Sequence, residues 1–354
     1  MLKYGLVGCG RIAVRHAELL GGDSLTKSSL AAVCDLVPEK AQSLGEKYGV
    51  PFFTDMHEMM RNVDLDVVSI LTESGAHAEN VVELAPYGKH LVVEKPMALT
   101  LSDADQMILA CDKNDVRLFV VKQNRFNKPV LKLREALDEG RFGLIVMGTV
   151  RVRWCRPQRY YDQDSWRGTW ALDGGVLTNQ ASHHVDLLEW MLGEPESVFA
   201  MSRTALADIE AEDTIVVTVR FKSGALGVIE ATTATRPKDL EGSLSILGEK
   251  GAVVVGGFAV NELQTWEFAE QVDSDRKVVE EFSVNPPDVY GFGHKSYYEH
   301  VERCLLEGGA TLVDGIEGRK SLELISAIYE SVETKKEVRI RFKPTLCRLG
   351  RRAS

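Results

Sequence analysis

Leu2-Lys3-Tyr4-Gly5-Leu6-Val7-Gly8-Cys9-Gly10-Arg11-Ile12-Ala13 decides how the rest of the chain is read. An apolar run of strand length, Leu2–Val7, passes directly into two glycines one residue apart, and a helical pattern opens behind them. In that setting each position of the GxGxxG/A spacing has a mechanical meaning. Gly8 allows the tight turn, Gly10 lets backbone approach a pyrophosphate, and Ala13 permits close packing of helix on strand, with Arg11 and Ile12 in the same expected cofactor contact. Glycine-rich turns of this kind also occur without ligands, so the reading depends on what surrounds it.

Outward from the turn, Leu30–Cys34, Val67–Leu71, His90–Val93 and Leu118–Val121 are further apolar runs, separated by helical patterns. Pro38 opens one helix, Gly88 closes another, and Ser102 precedes a third. Buried strands alternating with helices predict a parallel, doubly wound sheet over residues 1–121. Asp35 ends the second run, where a carboxylate can accept from ribose hydroxyls and repel a 2′-phosphate, so NAD is expected rather than NADP. The competing role for Asp35 is to cap the helix that starts near Pro38.

Beyond Lys122 the pattern changes to alternation, in Thr149–Trp154, Thr214–Phe221 and Ala225–Thr232, the last two joined across Lys222-Ser223-Gly224. This predicts an α+β domain over residues 122–342 with a mostly antiparallel open sheet. Helices at Pro129–Glu139, Ser182–Leu192, Lys295–Leu306 and Gly315–Glu333 are expected to cover one face, leaving the other for a subunit interface. Residues 343–354 read as a short basic tail, solvated or partly ordered.

Composition narrows the function. A net charge of -10 argues against a nucleic-acid surface, which needs clustered Lys and Arg. The six cysteines, at 9, 34, 111, 155, 304 and 347, have no CxxC pair or metal-ligand spacing with the histidines, so they read as reduced thiols and no metal is expected. Met1 runs almost directly into the first strand and no apolar stretch approaches ~18 residues, so the expectation is a cytoplasmic protein without a membrane partner.

Val93-Glu94-Lys95-Pro96, after the fifth apolar run, resembles the Glu-Lys-Pro motif of the glucose-fructose oxidoreductase, inositol dehydrogenase and rhizopine-catabolism family. With the glycine turn, the resemblance covers almost the whole chain and implies an N-terminal Rossmann domain. It implies that Lys95 lies beside the nicotinamide and the reacting hydroxyl, with Glu94 and Pro96 at the cofactor and a cis bond before the proline. Gly174-Gly175 and Asn179-Gln180-Ala181-Ser182-His183-His184-Val185-Asp186 resemble the family's catalytic segment, which makes His183 the expected base. Asn179 stands where many members have Asp, and is expected to bind substrate or orient His183. His184 leaves the register ambiguous; one helical turn from Asn179 favours His183 and puts Asp186 in packing. The resemblance also places Thr72, His77, Trp166 and Arg167 at the cofactor, although the family's usual proline is missing from the Thr72–His77 loop.

Two segments bear on the substrate: Lys122-Gln123-Asn124-Arg125-Phe126-Asn127, and the basic-aromatic stretch from Arg151 to Tyr161. Their cations suggest a polyanionic ligand, with Arg151 and Arg153 on one strand face and Arg156 and Arg159 in the following loop; a solvated strand edge is the competing reading. Within the family the Lys122–Asn127 segment and the Asn179–Asp186 variant are most similar to members that oxidise the 3-hydroxyl of UDP-N-acetylglucosaminuronic acid. That similarity implies a UDP-sugar substrate contacting Lys95, Gln123, Asn124, Arg153, Arg156, Tyr160, Asn179 and His183, with Gln123 also at NAD. It further implies 2-oxoglutarate as a reoxidant of NADH and a homo-oligomer, with a tetramer favoured. An uncharged polyol such as inositol, and a non-catalytic NAD-binding regulator, stand as alternatives; the arginines disfavour the first, and retention of Lys95 and His183 the second.

Overall fold

The computed structural model describes residues 1–273, 275–283, 291–340 and 345–351. They form two compact units, Met1–Val121 with His294–Arg319, and Lys122–Gly293 with Lys320 onward.

The first unit runs β1 (Leu2–Val7), α1 (Arg11–Leu20), β2 (Ser28–Cys34), α2 (Pro38–Tyr48), β3 (Phe52–Phe53), α3 (Met56–Asn62), β4 (Val67–Ile70), α4 (His77–Leu84), β5 (His90–Val93), α5 (Leu101–Lys113) and β6 (Leu118–Val120). All its strands are parallel, in the order β3-β2-β1-β4-β5-β6. Strand order reverses between β1 and β4, and ligands of such sheets bind outside the carboxyl ends of the strands at that reversal. The loops after β1 and β4, which carry Gly8 and Thr72, begin there. Val67, Val68 and Ile70 are fully buried, as a strand covered on both faces requires. The cap of α5 is Thr100, which accepts from the Asp103 amide at 3.1 Å, so Ser102 lies inside the helix.

The second unit contains α6 (Lys128–Asp138), β7 (Ile145–Arg153), α7 (Gln158–Tyr161), α8 (Val176–Asn179), α9 (Ser182–Leu192), β8 (Pro195–Arg203), β9 (Thr214–Phe221), β10 (Leu226–Thr232), β11 (Glu241–Gly248), β12 (Gly251–Gly256), β13 (Glu262–Phe268) and α10 (Asp275–Glu281). Then come α11 (Gly293–Leu306), α12 (Gly315–Thr334) and β14 (Val338–Arg339). The sheet order is β13-β12-β11-β7-β10-β9-β8-β14, antiparallel except for β7 on β10. On β9, Ile215, Val217, Val219 and Phe221 are buried while Val216 is half exposed, the alternation expected of a sheet with two different faces.

Helix α9 lies against β7 and β11 through Val185, Leu188 and Leu192, each buried and each contributing roughly 1.5–3 kcal/mol. A Cβ on Gly148 of β7 would come within 2.6 Å of Leu192 Cδ1, so the helix sits close because that residue is glycine.

One expectation is corrected. Helix Lys295–Leu306, expected to cover the second sheet, belongs to the first unit, because the buried face of α11 packs there: Tyr298 meets Tyr4 edge-on at 5.4 Å and the Cys304 carbonyl accepts from Arg117 Nη1 at 2.6 Å. The basic tail is partly ordered over residues 345–351, with Cys347 and Leu349 buried while Thr345, Leu346, Arg348 and Arg351 stay exposed. Leu349 is 2% exposed, the Gly350 amide donates to the Trp170 carbonyl at 2.9 Å, and the Arg348 guanidinium lies 4.2 Å over the Trp170 ring. Positions 343, 344 and 352–354 of that tail lie outside the described residues. All six cysteines are free thiols, four of them buried. Among the described residues no helix is long and apolar enough to cross a membrane.

Candidate active site

The first unit offers a cradle at the end of β1. Gly8 adopts φ +95°, and a Cβ there would lie 2.7 Å from the Leu71 backbone, so only glycine serves. A Cβ on Gly10 would meet nothing within 4 Å, leaving space where a pyrophosphate approaches the backbone. Helix α1 then begins with exposed Arg11 and half-buried Ile12, with no side-chain cap and no acid in its first turn. Its first N–H groups and positive dipole end suit a diphosphate. Asp35 Oδ2 accepts from the Cys9 amide at 2.7 Å and Oδ1 from the Val37 amide at 2.8 Å. The carboxylate thus ties the glycine turn to the end of β2, and it keeps lone pairs for ribose hydroxyls. These residues fit a dinucleotide.

Around Lys95 the structure redistributes roles. Lys95–Pro96 is cis, and Lys95 is half-buried. Glu94, expected to touch cofactor, turns inward at 6% exposure: Oε1 lies 3.0 Å from His16 Nε2 and Oε2 accepts the Lys95 amide at 2.9 Å. Its carboxylate is taken up inside the unit. His77, also expected at the cofactor, is 1% exposed, with Nδ1 2.8 Å from the Pro96 carbonyl and Nε2 3.1 Å from that of Thr72. Burial pulls the imidazole below its ordinary pKa against the opposing effect of the two carbonyls; the neutral ring has one N–H and so donates to one of them. Thr72 Oγ1 accepts from Asn80 Nδ2 at 3.0 Å.

In the second unit, Gln123 and Asn124 lie on a buried 3-10 turn, Gln123–Phe126. Gln123 Nε2 is 3.0 Å from His183 Nε2. The helix expected to run from Asn179 to His183 is broken at Gln180–Ala181, so the two do not share one helical turn. Asn179 Nδ2 is hydrogen-bonded to Asp173 instead. His184 turns into the sheet, edge-on to Trp154 at 6.0 Å, and burial drops its pKa to about 4. Asp186 is buried in an ion cluster, accepting two bonds from Arg125 at 2.8 Å each, with Lys122 Nζ at 3.4 Å. Burial would raise its carboxyl, but the two cations hold it at about 2.

Tyr160 gathers the basic-aromatic stretch. Its ring lies under Arg167 at 4.7 Å and Arg156 at 5.6 Å, and its hydroxyl accepts from Arg167 Nη1 at 2.8 Å and from Gln180 Nε2 at 3.4 Å. Trp166 lies on the other side of Arg167, at 4.5 Å. Two guanidiniums therefore stand beside the α8–α9 break that leads to His183. Asp164 and Asp239 hold them, accepting from Arg167 Nε and Arg156 Nη1 at 2.9 Å each. Neither acid has a motif in the sequence; the i,i+3 spacing of Asp164 and Arg167 is the one local signal.

Arg153 is a correction. It pairs with Glu230 at 2.6 Å and Glu241 at 3.2 Å, and Arg151 reaches Glu241 at 3.5 Å. Alternation on β7 buries Val150 and Val152 toward α9, so these arginines occupy the opposite sheet face, neutralised by acids of β10 and β11. The structure does not bring Arg153 to the His183 side; Arg159 is exposed.

A second buried acid braces the start of α8. Glu212 Oε1 accepts from the Leu177 amide and the Tyr329 hydroxyl, each at 3.0 Å, and a Cβ on Gly175 would lie 2.2 Å from Oε2. Burial pushes its pKa up to about 7. A raised carboxyl contributes stability below its unfolded value and loses it as pH rises through about 7. Wild-type stability should therefore gain on the order of 3 kcal/mol from this group between pH 8 and pH 5. Glu212→Gln should flatten that part of the unfolding profile; an unchanged pH slope would contradict it.

Residues 2–122 match the oxidoreductase family's NAD-binding Rossmann fold, and residues 134–340 its C-terminal alpha/beta domain. The chain belongs to this GFO_IDH_MocA oxidoreductase family and is an NAD-dependent sugar dehydrogenase. It is 44% identical to the WlbA dehydrogenase of Chromobacterium violaceum (TM-score 0.89, 96% of each chain). It is 42% identical to that of Bordetella pertussis (TM-score 0.87, 96% of this chain and 99% of that one). Both were solved with NADH and UDP-GlcNAcA. The myo-inositol 2-dehydrogenase of Thermotoga maritima is 30% identical over 96% of this chain and 98% of its own length.

The Asp35 carboxylate should make NAD bind roughly 10- to 10³-fold more tightly than NADP, the range a like-charge repulsion of ~1–4 kcal/mol supplies. Calorimetric titration with both nucleotides checks this; equal affinities would remove the assignment.

Proposed function

We propose that the chain oxidises the 3-hydroxyl of UDP-N-acetylglucosaminuronic acid to the 3-keto sugar, in nucleotide-sugar synthesis for a surface polysaccharide. The observation that carries this reading is the similarity, above 40% identity over nearly the whole chain, to two dehydrogenases solved with UDP-GlcNAcA. Arg156, held over the Tyr160 ring, agrees with it, because a diphosphate or a carboxylate needs a cation held in place.

In this mechanism His183 takes the hydroxyl proton and Lys95 steadies the developing alkoxide with its charge. Gln123, bonded to His183, holds the imidazole orientation, and Asn179 and Asn124 orient the sugar. NAD, when bound, accepts the hydride from the same carbon. Gly8, Gly10, Arg11, Ile12 and Asp35 hold it through backbone and ribose contacts, with Thr72, Pro96, Trp166 and Arg167 assigned to the same cofactor.

The test is a panel of UDP-uronates, UDP-sugars and free polyols with NAD, with and without 2-oxoglutarate, following NADH absorbance and product mass. Turnover of inositol but not UDP-GlcNAcA would replace this reading with the second one, which the Thermotoga relative favours. Stimulation by 2-oxoglutarate would add that acid as the reoxidant. For assembly the reading is a homo-oligomer, a tetramer, built on the sheet face that carries Phe199, Met201, Val216 and Leu226, all at least 40% exposed.

A further inference from the structure

The first unit buries a chain of polar groups beneath Lys95 that the mechanism does not use. His16 on α1 is fully buried, with Nδ1 2.5 Å from the Tyr298 hydroxyl and Nε2 3.0 Å from Glu94 Oε1. Ser69 Oγ lies 3.3 Å from the same hydroxyl. His294, also fully buried, stands edge-on to His16 at 5.4 Å, with Nε2 3.7 Å from Glu94 Oε1. One polarity satisfies the chain: Ser69 donates to Tyr298, Tyr298 to His16 Nδ1, His16 Nε2–H to Glu94, and the Lys95 amide to the other oxygen of Glu94.

We infer that Glu94 is a positioning residue for Lys95, held as a carboxylate by His16. Burial pushes the Glu94 carboxyl up, yet His16, hydrogen-bonded at 3.0 Å, and His294, facing it at 3.7 Å, outweigh that and hold it well below the carboxylate range. A buried anion costs several kcal/mol in desolvation, so its presence calls for a gain that a neutral acceptor would not give. The gain is geometric. One oxygen is fixed by His16 and the other grips the peptide N–H of Lys95, which sets the direction in which that long, flexible side chain leaves the backbone. A displacement of ~1 Å in a reacting group can cost about 10²-fold in rate.

His16, Glu94 and His294 also bring their ligand atoms within 4.8 Å of one another, a spacing that a divalent cation could bridge. The short His16–Glu94 and His16–Tyr298 contacts favour a proton in each gap over an ion.

The inference rests on Lys95 acting at the reacting hydroxyl, as proposed above. With UDP-GlcNAcA and NAD, Glu94→Gln should lower kcat about 10- to 100-fold, leave KM and NAD affinity within about threefold, and raise the primary deuterium isotope effect on kcat. His16→Leu should behave alike, and His16→Gln, whose amide reaches the place of Nε2, should recover most of the loss. A merely structural role would lower the active fraction without changing the isotope effect, and would overturn the inference, as would one bound zinc per chain.

A second readout separates this from the substrate assignment. In trace acetylation of the full chain, Glu94→Gln should raise the Lys95 rate at least about threefold relative to Lys89, because the lysine is loosened and its neighbouring anion removed. An unchanged Lys95 rate overturns the positioning role even if the substrate proves to be another sugar. A changed rate with no turnover of UDP-GlcNAcA overturns only the substrate.

Discussion

His183→Asn should lower turnover by roughly 10²- to 10⁴-fold, the usual range for losing a positioned general base. The fold and NAD affinity should survive, since His183 is held in the second unit by Gln123 and contributes no apolar packing comparable to Val185 or Leu188. Rapid quench with UDP-GlcNAcA measures the chemical step, and titration with NADH measures the active fraction. Near-normal turnover would remove the assignment; loss of turnover together with folding would make His183 a packing residue. His184→Asn is the comparison that fixes the register. His184 is fully buried against Trp154 and Gly242, so its replacement should lower the melting temperature and leave turnover per folded molecule within about threefold.

The sequence made the parallel sheet legible because its signals are local. Leu2–Val7 is followed by Gly8, in a backbone conformation and a space that only glycine fits, and strands buried on both faces stay largely apolar. Thr214–Phe221 was readable for the complementary reason, strict alternation over eight residues. Two misreadings share one cause, which is that the deciding partner lies far away in the chain. Glu94 belongs to a motif, but its oxygen is claimed by His16, 78 residues earlier. Arg153 looks like an anion ligand until Glu230, 77 residues on, is placed beside it by strand pairing. The break at Gln180–Ala181 is a different failure: i and i+4 share a face only along an unbroken helix, and no proline or glycine announces that this one stops.

Asp186→Asn should cost about 3–5 kcal/mol of stability in the second unit, the largest single loss expected of a near-isosteric change here. The side chain keeps its shape and an acceptor, but Lys122 and Arg125, both at most 3% exposed, lose the anion that compensates them. Arg125 is stacked on Trp190 at 5.0 Å and cannot withdraw to solvent without unpacking that ring. The loss should also depend on pH. Glu189 is raised to about 8 by burial and then by the charge of Asp186, so in the wild type it is protonated at pH 5 and ionised at pH 9, where it repels Asp186. Replacing Asp186 abolishes that repulsion and frees Glu189 to ionise beside the two cations, so the difference between the two proteins should be smaller at pH 9 than at pH 5. Below about pH 2 the difference should shrink again, because the depressed Asp186 carboxyl contributes stability above its unfolded value and loses it as pH falls through about 2. Urea unfolding followed by tryptophan fluorescence at the two higher pH values checks the sign. A cost under 1 kcal/mol at pH 5, or one that grows toward pH 9, would mean that the cluster is not held by Asp186.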